Sequence, residues 1–125
     1  MEVSSNAVCF LHLILEKLYM QNKYVYVIFV FFTVIFEEVV FRKLLFGCLY
    51  DLHKGCNEYV KFMTAAIASS IVFGAIHDGV FNLAMISYVV ASMLITVVCY
   101  YTKRISASIA VHILFDIYLQ LMSKF

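Results

Sequence analysis

The run FEEVVFR, residues 36–42, follows directly on YVYVIFVFFTVIF, 13 residues (24–36) without a charge. Glu38 and Arg42 stand four residues apart, so a helix places them on one face within reach of an ion pair. Glu37 lies about 100° round the same helix, where Arg42 is less available to it. One carboxylate can therefore be structural while the other stays free to act as a base. Two further clusters carry suitable groups. FGAIH sets Phe73 one turn before His77, and HILFD sets His112 and Asp116 four residues apart on a single helix face. A free carboxylate, two imidazoles and a second carboxyl are the groups that proton-transfer chemistry uses, provided the fold brings them together.

Placing such groups in apolar surroundings has a cost. An ionisable side chain at the centre of a bilayer costs roughly 2.5–3.5 kcal/mol, so the helices that carry these residues must turn them towards one shared interior. The chain is 65% hydrophobic and 14% charged over 125 residues, against about 45–50% and about 25% in ordinary soluble domains. No soluble core of this size could hide so much apolar surface, and the sequence reads as a membrane protein. A spanning helix takes about 20 apolar residues, and four stretches meet or approach that length: 24–50, 59–77, 80–102 and 105–122. The first, second and fourth carry the polar clusters, and the third carries no charge at all. Long continuous runs, rather than alternation, exclude a closed barrel.

The expected fold is all-α: a polytopic transmembrane helix bundle of about four spanning helices, with a short N-terminal helix. Residues 1–23 form that partial or interfacial helix, in which Glu16 and Lys17 argue against a full span, and residues 24–125 form the core. Gly74 and Ala75 allow another helix to approach closely. Lys43, Lys54 and Lys61 in the first connection of the core and Lys103 and Arg104 in the third outweigh Lys17, Lys23 and Lys124 on the opposite side. Positive-inside counting puts those two connections in the cytoplasm. A net charge of +1 with scattered basic residues gives no support for nucleic-acid binding. Cys9, Cys48, Cys56 and Cys99 include no Cys-x-x-Cys and read as small apolar fillers rather than a disulfide framework.

EEVVFR fits Glu-Glu-x-x-x-Arg, FGAIH fits Phe-x-x-x-His and HILFD fits His-x-x-x-Asn/Asp, in that order on separate helices. Together they resemble the CPBP intramembrane proteases, a family that takes in CAAX prenyl endopeptidases of the Rce1 type and bacteriocin-processing or immunity proteins. The resemblance covers residues 24–122. It implies that Glu37 and His77 activate a water and that His112 and Asp116 stabilise the oxyanion, with Glu38, Arg42 and Phe73 supporting. It implies an endopeptidase acting on a prenylated (CAAX-type) or membrane-bound peptide within the lipid bilayer. The protein would then be a multi-pass membrane protein, of the plasma membrane in a prokaryote or the endoplasmic reticulum in a eukaryote. The chemistry is reasonable, because amide hydrolysis needs a base and donors where negative charge develops.

Two departures qualify the match. Lys43 follows the arginine where the family commonly has glycine, and Asp116 stands where asparagine is more usual. An ionised aspartate accepts hydrogen bonds but donates none, so Asp116 must be protonated to serve an oxyanion, or must instead orient His112. These departures and the short chain support an alternative: a non-catalytic immunity or membrane scaffold protein of the same fold. A proton or ion pathway would use the same carboxylates. No cofactor is expected. Zinc is the lesser alternative, since His-Glu-x-x-His is absent and the ligands would have to come from three helices. Taken singly, the clusters have plainer readings: a helix end for Glu37, Glu38 and Arg42, a solvated turn for His77, and a helix–helix hydrogen bond for His112 and Asp116. His12 and His53 read as interfacial. Idealised spans also put His77 and His112 near opposite ends of their helices, too far apart for one site at about 1.5 Å per residue.

Overall fold

The computed structural model describes residues 2–79 and 82–122, with side chains described at residue 10 and from residue 13 onward. The expectations placed on Cys9, His12, Val80 and Lys124 lie outside those side chains or residues. The first helix, α1 (Glu2–Gln21), has 20 residues. Its sequence holds no glycine or proline to end it. It stops at Asn22, whose extended backbone (φ −159°) breaks the helix and whose side chain accepts the Tyr24 N–H at 3.0 Å.

A second rod then runs from Lys23 to Leu52 without a break in helicity. It comprises α2 (Lys23–Glu38), a π-helical segment (Val39–Leu45) and α3 (Phe46–Leu52). Within it the Phe46 N–H donates to the Phe41 carbonyl five residues back, the i→i+5 pattern of a π-helix, which is rare and often found at functional sites. Next come α4 (Glu58–Asp78), α5 (Leu83–Thr102) and α6 (Ile105–Met122). Asn57 caps α4 by accepting the Val60 N–H at 2.8 Å. Gly79 closes it at φ 77°, in the positive-φ region that glycine enters at no steric cost.

The second rod, α4, α5 and α6 are each long and apolar enough to cross a membrane, so the chain is a multi-pass membrane protein. Their ends fall within a few residues of those read from the sequence, and the fold is all-α as expected. Large side chains such as Phe32, Phe36, Leu94 and Leu114 are exposed on the outside, where a bilayer takes the place of a core.

Small residues predominate on the buried faces of α4 and α5. On α4, Ala65, Ala66, Ser69, Ser70, Phe73 and Gly74 are buried, and on α5 so are Ala91, Ser92, Ile95 and Thr96. Small residues four apart let helix backbones approach, which is how helices associate where lipid removes the hydrophobic drive. Gly74 is where this matters most. A Cβ there would lie 2.6 Å from Val89 Cγ2 and 3.0 Å from the Met85 carbonyl oxygen. The second rod and α6 close the other side, with α1 packed along α2.

Candidate active site

The second rod presents both carboxylates inwards at the junction of α2 with the π-helical segment. Glu38 is fully buried and Arg42 nearly so. Arg42 Nε lies 3.3 Å from Glu38 Oε2, an ion pair whose angle does not make it a hydrogen bond. Arg42 Nη2 donates to the Ser92 carbonyl at 3.4 Å, and the guanidinium sits 5.2 Å from the Phe73 ring centre. Such a stack favours Arg over Lys because the guanidinium is planar and more weakly hydrated.

The other Glu38 oxygen holds a histidine. His112 Nδ1 lies 2.7 Å from Glu38 Oε1, so the imidazole N–H donates to the carboxylate and Nε2 is turned away from it. Nε2 faces Glu37, 3.7 Å from its Oε2. Glu37 keeps 28% of its side chain exposed, whereas Glu38 has none. The two adjacent glutamates thus occupy different environments: Glu38 is enclosed between Arg42 and His112, and Glu37 is open to a cavity.

His77 approaches Glu37 from α4, with Nε2 at 3.6 Å from Oε1. Its Nδ1 lies 2.8 Å from the Phe73 carbonyl. A carbonyl only accepts, so Nδ1 carries a proton, and Nε2 facing Glu37 is a lone pair in the neutral ring and a donor in the charged one. The ring stacks on Phe73 at 4.1 Å between centres and on Tyr88 of α5 at 5.3 Å. This folding-back corrects the expected separation of the histidines. The His77 ring leans back against the preceding turn, on Phe73, and both it and His112 reach Glu37. Phe73 in turn lies 5.8 Å from the His112 ring.

Asp116 completes the group from α6, with Oδ1 at 3.8 Å from His112 Nε2, beyond hydrogen-bond range. Glu37, His77, His112 and Asp116 together line a cavity of about 340 Å³, along with Phe73 and Tyr88. All seven residues singled out from the sequence fall in or against this one site. Sequence reading missed Tyr88, which lies in the segment without charges and has only its tyrosine hydroxyl to mark it. It also missed the Glu38–His112 bond, which joins residues 74 positions apart. Among the described residues no group of three or more His, Cys, Asp or Glu side chains is placed to hold a metal ion.

A family model described as type II CAAX prenyl endopeptidase, Rce1-like, matches residues 19–118. The chain belongs to this Rce1-like family. The match takes in the second rod, α4 and α5, and most of α6, and so every residue of the cavity named above. Membership implies a membrane-embedded protease acting on a membrane-associated substrate. No curated protein and no solved structure matches the chain.

Proposed function

We propose that the chain is an intramembrane endopeptidase that hydrolyses a peptide bond in a prenylated, CAAX-type or other membrane-bound peptide by means of a water activated between Glu37 and His77. The observation that carries this reading is the open carboxylate of Glu37, 3.6 Å from His77 Nε2 and 3.7 Å from His112 Nε2 on a cavity inside the bundle. A water hydrogen-bonded to Glu37 and to the His77 lone pair loses a proton to the carboxylate as its oxygen attacks the scissile carbonyl carbon. The carbonyl π electrons move to oxygen, and the resulting oxyanion needs donors. His112 supplies one from Nε2 when both its nitrogens carry protons, and Glu38 on Nδ1 stabilises that imidazolium as the aspartate does in a serine protease triad. Asp116, when protonated, supplies a second. On collapse the carbon–nitrogen bond breaks, and the proton held by Glu37 passes to the leaving amine.

The test uses the purified full chain in nanodiscs of phosphatidylcholine, given a farnesylated peptide ending in a Cys-aliphatic-aliphatic-X sequence. Mass spectrometry of the products should find a single cut on the carboxyl side of the prenylated cysteine. Peptide bound but never cut would favour the non-catalytic alternative.

A further inference from the structure

Separate from the Glu37 chamber, a second cavity of about 480 Å³ opens between the π-helical segment, α3, α5 and the start of α6. Phe46, Tyr50 and Tyr100 give it aromatic walls, and three cations line it: Arg42, Lys43 and Lys103. Arg42 is 5% exposed, and its Nε makes no hydrogen bond. Lys103 lies 4.0 Å from the Tyr100 ring centre, carried there by a left-handed backbone (φ 56°) at the end of α5. The acidic side chains at this end are Asp51, exposed on α3, and Glu58, which also feels the charge of Lys103. Glu58 is held by Lys61 at 2.9 Å and by the Tyr50 hydroxyl, and Glu38 lies between Arg42 and His112. Lys43 and Lys103 form no ion pair with a carboxylate among the described residues. Such a pocket, apolar in its walls and cationic at its rim, suits an anionic group on an apolar chain.

We infer that this cavity binds the C-terminal carboxylate of the peptide substrate, with Lys43 and Lys103 as the anion-binding side chains and Arg42 as the fixed charge behind them. The inference rests on the proposed peptidase reading. A CAAX-type peptide ends in a free carboxylate three residues beyond its prenylated cysteine. The cavity and the active site also share Arg42, whose partner Glu38 holds His112. Lys43, which departs from the family's usual glycine, thereby acquires a role.

The experiment measures binding as well as cleavage. Glu37→Gln protein in phosphatidylcholine nanodiscs is titrated with a fluorescently labelled farnesylated peptide carrying either a free C-terminal carboxylate or a C-terminal amide. The acid should bind about tenfold more tightly, as expected for one charge meeting two cations at a partly apolar rim. Adding Lys43→Gln and Lys103→Gln should bring the acid down to the affinity of the amide, and arginine at both positions should restore the preference. Equal binding of acid and amide overturns the inference, as does a preference that survives both glutamine substitutions. A lysine-dependent preference that phosphatidylglycerol abolishes assigns the pocket to a lipid headgroup and also overturns it. If the unmodified chain cuts neither peptide while the lysine-dependent preference holds, the peptidase reading fails and the carboxylate site stands. If it cuts acid and amide equally well, the reverse is true.

Discussion

Glu38 and Glu37 are chemically identical neighbours, and the separation of their roles comes entirely from what each one faces. Four-residue spacing already paired Glu38 with Arg42 in the sequence and left Glu37 free. The bond from Glu38 to His112 was not legible there, because nothing local links residues on two helices so far apart in the chain. In the proposed mechanism that bond gives Glu38 a positioning role, and two substitutions separate its functions. Glu38→Ala leaves Arg42 buried without its partner and should lower stability by about 3–5 kcal/mol, read from thermal unfolding in detergent. Glu38→Gln keeps an acceptor for His112 Nδ1 but no charge to stabilise the imidazolium, so kcat should fall at least tenfold with KM little changed. A change in KM alone would contradict that role. Asp116 poses the converse question. With His112 already held by Glu38 at 2.7 Å and Asp116 at 3.8 Å, the ring does not depend on Asp116 for its orientation, and the proposed mechanism gives Asp116 the donor role. Activity should then decline as pH rises through the Asp116 pKa, because the ionised form cannot donate. Asp116→Asn should stay active and lose that limb of the pH profile, whereas an inactive asparagine variant would rule out the donor role.

Among the elements, the spans were legible because length and apolarity alone identify a membrane helix. The close approach of α4 to its neighbour was legible in Gly74. The π-helical segment was not, since no proline or glycine marks residues 39–45 and periodicity cannot distinguish one widened turn. The separation inferred for the two histidines failed for a related reason: counting residues along idealised helices ignores the direction of side chains, and His77 folds back over Phe73. Packing of α4 on α5 gives a direct test. Gly74→Ala puts a methyl where Val89 and the Met85 carbonyl already lie, and overpacking of this kind should lower stability by about 1–3 kcal/mol. Gly47→Ala, with nothing within 4 Å of its new carbon, should leave the unfolding temperature unchanged or slightly raised. Equal behaviour of the two variants would show that helix approach at Gly74 is not limiting.

At the scale of the molecule, four apolar helices solve one problem in common: each polar cluster is tolerated because the others face it. The third predicted span, without charges, contributes backbone and small residues instead, through the Ser92 carbonyl and the buried stripe from Ala91 to Thr96. Charge counting grouped the two basic connections on one side. Tyr50 and Phe62, flanking the first, pack against Tyr100 beside the second, at 6.3 and 4.5 Å between ring centres, so both connections lie at the same end of the bundle. On the proposed reading the assembled bundle holds a carboxylate base inside an apolar protein, with Glu37 in that role. The decisive measurement is therefore cleavage of the farnesylated peptide by the purified full chain and by its Glu37→Gln variant, in the same nanodiscs and with peptide binding measured alongside. Loss of a general base should lower kcat by about 10²–10⁴-fold while the variant still binds the peptide. A Glu37→Gln chain that cleaves within a few-fold of the original rate would contradict the account.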